Sequence, residues 1–206
     1  YMKKVAKKEK GYEATFPIKI SSKLGKEYLN VLNFGLEFAL LNRKEMIYKT
    51  ISALEKVLKK ELKYEIWVNK NHNHAVPSGK NYIHRKGATP AKKNERGVIP
   101  ANMRDGSFLV EGLGNPDFLH SSSHGAGRLL SRTMAKKNIS MSQFKKSMKG
   151  IVGTIDEGTL DEAPAAYKNI SEVMDAQKDS VKVIKHLKPI INMKGSSFRG
   201  REDKHS

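Results

Sequence analysis

Between Ser121 and Arg132 the chain reads Ser-Ser-Ser-His-Gly-Ala-Gly-Arg-Leu-Leu-Ser-Arg, a run rich in groups that handle phosphate. The three serines offer N-cap oxygens and Leu129-Leu130 is an apolar pair, so a helix is predicted to start here. Gly125 and Gly127 leave the backbone bare at that start. Unpaired N–H groups and the positive end of a helix dipole would make it an anion site. His124 stands at its mouth as a nucleophile or base. Arg128 and Arg132 follow at steps of four, which on a helix puts all three residues on one face. The plainer alternative is a capped helix with a solvated basic face and an incidental histidine.

The elements that must position this run belong to a chain of 206 residues, enough for one sizeable domain with a core. Aromatics make up 7%, so aliphatic side chains must supply most of that core. Lysine and arginine number 39 against 21 acids, a net charge of +18 that points first to nucleic acid. An anionic membrane surface comes second, because the basic runs do not lie on one long amphipathic helix. No apolar run reaches bilayer length, and no secretory signal pattern is present, so no membrane association and a cytoplasmic location are expected. With no cysteine, the chain can form neither disulfides nor thiolate metal ligands of its own.

Residues 1–23 read as a basic arm, with a short strand predicted from Ala14 to Ile20. From Leu24 to about Leu62 apolar residues recur at threes and fours (Tyr28, Leu29, Leu32, Leu36, Ala39, Leu40), predicting a long helix. Asn42-Arg43 interrupts that stripe, and the pattern favours a face emerging into solvent over a polar contact to a neighbouring segment. Tyr64–Val68 is strand-like. His72 and His74 are two apart, which on a strand places both on one face, a pair able to share manganese, iron or zinc. Asn81–Thr89 predicts a strand running into a glycine turn. Further strands are expected up to Pro100 and over Ser107–Val110, with Asp105-Gly106 turning between them. Ser140 is a candidate cap for a second short helix. Asp156-Glu157 and Asp161-Glu162 form the main acidic cluster, read as a solvated turn rather than a general acid/base pair. Ser171–Asp179 predicts a helix, Pro189 breaks the segment Val181–Met193, and Ser196–Ser206 is a polar basic tail.

Taken together, these segments resemble the C-terminal part of the RtcB family of RNA ligases over about Leu24–Gly195. The resemblance rests on Leu24-Gly-Lys-Glu-Tyr-Leu29, Phe38-Ala-Leu-Leu-Asn-Arg43, His72-Asn73, His84-Arg-Lys-Gly-Ala-Thr89, Ser123-His-Gly-Ala-Gly-Arg128, Asp161-Glu-Ala-Pro-Ala-Ala-Tyr-Lys168, Val173-Met-Asp-Ala-Gln-Lys178 and Lys188-Pro189 with Lys194-Gly195. It implies GTP- and manganese-dependent joining of RNA 2′,3′-cyclic-phosphate or 3′-phosphate ends to 5′-hydroxyl ends. It also implies that His124 becomes guanylylated. His72 matches a metal ligand and Asn73 a nucleotide contact. Pro100, Ala101, Asn102, Met103 and Ser107 match the loop and strand around the nucleotide, together with Gly125, Ala126 and Gly127. Lys194 matches the lysine that contacts guanine, whereas Lys86, Arg128 and Arg132 fall where RNA phosphates sit. His84 lies in a matched motif without a chemical role.

The implied fold is α+β, a mixed sheet with flanking helices. Residues 24–195 form the catalytic region, flanked by the arm at 1–23 and the tail at 196–206. The long helix and the His124 helix are expected to pack outside the sheet. The sequence departs from the family in reading Ala101-Asn102 where the family has Gly-Ser. His72 alone matches the expected manganese ligands. A separate N-terminal RtcB-like polypeptide is therefore expected as partner beside RNA, completing the metal site. The alternative is a non-catalytic basic RNA-binding or structural protein.

Overall fold

A computed structural model describes residues 18–195. The basic arm, all of the predicted Ala14–Ile20 strand before residue 18, and the tail from Ser196 lie outside the described residues; Ile18–Ile20 is not strand. The chain divides after His84 into two compact units, each α+β in its own way.

The first unit is dominated by α1 (Lys23–Leu58). Ser22 caps it, its hydroxyl accepting from Gly25 N–H at 3.0 Å, and Lys59 ends it in the left-handed region at φ 51°. The expected stripe is half-buried (Tyr28, Leu29, Leu32, Leu36, Ala39, Leu40), yet Phe34 and Phe38 on the other side are 75% and 63% exposed. Residues 60–71 are irregular, which corrects the strand expected at Tyr64–Val68. Side-chain hydrogen bonds to α1 hold this segment instead. Arg43 Nε donates to Asn69 Oδ1 at 2.8 Å and its Nη2 to Asn71 Oδ1 at 2.7 Å. Both asparagine amides donate onward to helix carbonyls, Asn69 to Leu40 and Asn71 to Leu36, each at 3.1 Å. Arg43 therefore makes the polar contact to a neighbouring segment and does not emerge into solvent. The strands β1 (Asn73–Ser78) and β2 (Asn81–Lys86) form a hairpin, and the division falls inside β2.

In the second unit β4 (Arg96–Pro100), β5 (Ser107–Gly112) and β8 (Val181–Leu187) make a three-stranded antiparallel sheet in the order β4-β5-β8. The pair β3 (Ala88–Pro90) and β6 (Ser121–Ser123) is antiparallel, whereas β7 (Val152–Gly153) and β9 (Ile191–Asn192) run parallel, so the strand set is mixed. Helices α2 (Arg132–Asn138), α3 (Met141–Ser147) and α4 (Ile170–Asp175) are short. Ser140 caps α3 in a full capping box with Gln143. One core gathers Met103, Ala135, Ile139, Phe144, Met148 and Leu160; the other gathers Ile99, Ala101, Val110, Ala126, Ile170 and Val181. Phe144 is the sole aromatic buried in either, so aliphatics and methionine do supply the core as composition required.

The turn from β4 to β5 is built by one side chain. Asn102 Oδ1 accepts from the N–H groups of Arg104 (3.0 Å) and Asp105 (2.9 Å), and its amide donates to Asp105 Oδ2 at 2.7 Å. Gly106 closes the turn at φ +80°, its carbonyl accepting from Ala101 N–H at 2.8 Å. A Cβ there would fall well inside contact distance of the Leu187 carbonyl oxygen, in backbone that cannot give way cheaply. Gly106→Ala is expected to cost about 2–3 kcal/mol, from the left-handed φ together with that clash. Urea unfolding checks it, with a lower midpoint at unchanged slope; a midpoint equal to wild type contradicts it.

Candidate nucleotide and RNA-end site

The second unit carries an open cleft of about 1630 Å³. The end of β4 and the following turn supply Pro100, Ala101, Asn102 and Met103, and β5 supplies Ser107. The segment after β6 supplies His124, Gly125, Ala126, Gly127 and Arg128, α2 supplies Arg132, and the stretch after β9 supplies Lys194. Five places along the chain thus converge on one cavity. Lys86 ends β2 as an exposed residue outside the residues that line it. His72 and Asn73 belong to the first unit, where they line a separate pocket of about 430 Å³ with Tyr28, Leu32 and Arg43.

His124 does not head a helix. The strand β6 stops at Ser123 and α2 begins only at Arg132, with Ser131 as its cap. The reason is tertiary. Leu129 and Leu130 N–H both donate to the Ala166 carbonyl (2.9 and 3.2 Å), and Lys168 N–H donates to the Gly127 carbonyl (3.1 Å). A helix would need those groups for bonds four residues apart, and the two glycines weaken it further. Leu129, read as part of an apolar helix face, is 69% exposed. The idea of a bare helix start also falls: Gly125 N–H bonds Ser123 Oγ (3.3 Å) and Ala126 N–H the Pro100 carbonyl (3.0 Å). Gly127 keeps a different freedom, at φ +73° with open space where a Cβ would stand, so a ligand can approach its backbone closely.

Neighbouring backbone holds His124 in place. Its N–H donates to the Gly87 carbonyl at 3.3 Å, and Ser123 N–H donates to Gln177 Oε1 at 2.9 Å. The imidazole lies over Gly87, with Nε2 3.6 Å from where a Cβ on that glycine would sit. Gly87 has φ +74°, so the turn calls for glycine, and a Cβ there would meet the ring at ordinary contact distance.

The arginines meet through acids rather than along a helix face. Glu162 is the hub: it accepts from Tyr167 Oη at 2.6 Å and Arg132 Nη1 at 2.8 Å, with Lys194 Nζ at 3.4 Å and Arg128 Nη1 at 3.5 Å. Asp161, 5% exposed, pairs with Arg132 and with Lys136 at 3.8 Å, and its carbonyl accepts from Arg128 Nη2. The Arg128 guanidinium also lies over the Tyr167 ring, 5.0 Å from its centroid. Asp161-Glu162 is therefore a charge-compensating wall of the cleft, not the solvated turn expected. Sequence reasoning missed Glu162 and Tyr167 as site residues; the available signal was the compact Ala163-Pro164-Ala-Ala166 run beside the acids, whose Ala163, Pro164 and Ala166 are buried.

Burial would raise the Glu162 carboxyl, but the Tyr167 hydrogen bond and the Lys194 and Arg132 cations outweigh it and hold it below the usual carboxylate range. Burial first, and then Glu162, push the Tyr167 phenol up to about 12. Its folded value lies above the ordinary 10.0, so its contribution to stability is complete below pH 10 and is lost as pH rises toward 12. Tyr167→Phe is expected to flatten the fall in stability over that window. Urea unfolding at stepped alkaline pH measures it, and an unchanged slope in the variant contradicts the assignment.

The expected metal pair is divided by burial. His72 precedes β1 and is exposed, whereas His74 within β1 is 7% exposed. Among the described residues no three of His, Asp and Glu are grouped to hold a metal ion. His72 thus brings no cage of its own, and the described residues do not fit manganese unaided. Among them, too, no helix is long and apolar enough to cross a membrane.

Comparison with known proteins identifies the family. The family model for tRNA-splicing ligase RtcB matches residues 2–195. RNA-splicing ligase RtcB1 of Escherichia coli is 38% identical over 178 residues, covering 82% of this chain and 44% of that protein. The tRNA-splicing ligase RtcB of Nanoarchaeum equitans is 32% identical over 208 residues, covering 84% of this chain and 43% of that protein. The chain therefore spans less than half the length of these curated relatives. The match takes in the β4–β5 turn, the His124 segment and the acidic wall alike, and by it the chain belongs to the RtcB family.

Proposed function

We propose that this chain is the nucleotidyl-transferring part of an RNA ligase that joins 3′-phosphate or 2′,3′-cyclic-phosphate ends to 5′-hydroxyl ends, working in the cytoplasm. One observation carries the reading: His124, the Pro100–Met103 turn, Ser107, Gly125–Gly127 and Lys194 come from distant stretches to line one cleft. A neutral His124 nitrogen attacks the α-phosphorus of GTP, forming a phosphorus–nitrogen bond and releasing diphosphate. The RNA 3′-phosphate oxygen then takes GMP from the histidine. The 5′-hydroxyl oxygen attacks the activated phosphate, loses its proton and displaces GMP. Lys194 and the β4–β5 turn would hold the guanine nucleotide. Arg128, Arg132 and Lys86 would receive RNA phosphate, the first two by exchanging part of their pairing with the acidic wall.

Manganese belongs to the reading as a cofactor, with His72 as one donor and the others from beyond this chain's described residues. A separate N-terminal RtcB-like polypeptide is the expected source, and the apolar side of α1 around Phe34 and Phe38 is the kind of surface that needs covering. The test is mass spectrometry of the chain with GTP and manganese, alone and with the N-terminal portion of an RtcB protein. A GMP increment on the peptide containing His124 supports the reading. No increment in either mixture, with RNA binding retained, favours the non-catalytic RNA-binding alternative.

A further inference from the structure

From Asp117 to Asp156 the sequence contains no acid between the two, yet it carries Arg128, Arg132, Lys136, Lys137, Lys145, Lys146 and Lys149. The fold sorts these cations. In α2, Ala135 and Ile139, four apart, are buried, which leaves Lys136 and Lys137 exposed. In α3, Phe144 and Met148 repeat that pattern, leaving Lys145, Lys146 and Lys149 exposed. Lys145 and Lys146 stand side by side at the end of α3, and Lys149 follows in the turn just after it. Lys136 and Lys137 line the cleft itself. Among the described residues no carboxylate makes an ion pair with Lys137, Lys145, Lys146 or Lys149.

Helix stability does not explain this strip. A cation in a last turn gains about 0.3–1 kcal/mol from the dipole. Here each last turn has two adjacent lysines, Lys149 lies beyond the helix, and among the described residues Lys136 alone of the five has an acid beside it, Asp161. An apolar-faced membrane surface is also a poor match, since the side chains interspersed with the lysines are Asn138, Ser140, Ser142 and Gln143.

We propose that the exposed sides of α2 and α3 form a track for the RNA strand as it leaves the cleft, with Lys145, Lys146 and Lys149 binding backbone phosphates away from the reacting end. This rests on the RNA-ligase reading for the strand's end in the cleft, but binding on the track is separable from chemistry at His124. A polyanion with regular phosphate spacing is what an acid-free row of hydrated point charges recognises.

The test uses the full chain and single-stranded RNA with a 3′-phosphate, of about four and about twenty nucleotides, read by fluorescence anisotropy across a salt series. The variant K145A/K146A/K149A is expected to bind the longer RNA about tenfold or more weakly, with a log–log salt slope shallower by about 2. Its binding of the shorter RNA should match wild type, and K145R/K146R/K149R should restore the longer-RNA affinity. Equal affinity and slope for the alanine variant and wild type would overturn the track. So would tighter, lysine-dependent binding to phosphatidylserine vesicles than to the longer RNA. The GMP-adduct assay on the same proteins separates the two ideas: loss of long-RNA binding, without any adduct in wild type either alone or with the N-terminal portion of an RtcB protein, sustains the track and sinks the ligase reading. An adduct with no effect of the lysines does the reverse.

Discussion

Replacing His124 with alanine is expected to abolish the GMP adduct, a fall of about ten-thousand-fold or more in nucleotidyl transfer. The cleft holds other nitrogens, but they are poorly suited. Lys194 is paired with Glu162, Lys136 with Asp161, and an ammonium has no lone pair to offer phosphorus. The Arg128 and Arg132 guanidiniums are permanently protonated. His124 alone combines a nitrogen lone pair with a fixed seat, over Gly87 and beside the Gly125–Gly127 backbone. Truncating it leaves the segment's backbone bonds to Gly87 and Pro100 in place, so the fold should persist, and circular dichroism checks that. The adduct should also carry the signature of a phosphorus–nitrogen bond on imidazole, lost in acid and kept in base. Labelling of the alanine variant at wild-type level would remove His124 from the chemistry.

What the chain's own letters reveal divides along a physical line. Local signals were read correctly where the partners are local. The α1 stripe, the Ser140 cap with Gln143 three residues on, and the Asp105-Gly106 turn each involve residues within a few positions of one another. The His124 segment failed because its deciding partner is Ala166, about forty residues away, whose carbonyl takes the N–H groups a helix would have used. Arg43 failed for the same reason, since Asn69 and Asn71 come from a distant return segment. The acids of the cleft wall were misread because a carboxylate's solvation cannot be judged without the cations that surround it, and those come from α2 and from beyond β9. His72 and His74 show the limit of strand periodicity, because the strand starts between them. Of the residues that the resemblance named, His124, Ser107, Arg128, Arg132, Lys194 and the Pro100–Met103 and Gly125–Gly127 runs line one cleft, whereas Lys86, His72 and Asn73 do not. The resemblance did not supply the role of Asn102, whose side chain builds the turn itself.

Glu162 gives the largest expected effect on stability. It is 13% exposed and faces Tyr167, Arg132, Lys194 and Arg128 together. Glu162→Ala would leave a half-buried phenol without its acceptor and several cations without their nearest counter-charge. Removing one member of a buried ion pair costs about 3–5 kcal/mol. The lower end, about 3 kcal/mol, is expected because Arg132 is 69% exposed and keeps much of its hydration. Glu162→Gln keeps an oxygen for Tyr167 and should cost less. The pH profile distinguishes charge from packing. The folded Glu162 value lies below the ordinary 4.5, so its contribution is complete above pH 4.5 and is lost as pH falls through the folded value. Wild type should therefore lose stability faster than Glu162→Gln in that acidic window, and the two curves should draw together at its lower end. Parallel curves across the window would mean that Glu162 acts through shape alone. The same variant bears on the site. With the hub neutral, Arg128, Arg132 and Lys194 lose their internal anion, and RNA 3′-phosphate should bind more tightly and with a steeper salt dependence. A protein made less stable yet more avid for phosphate would mark the acidic wall as a placeholder for the substrate's own charge.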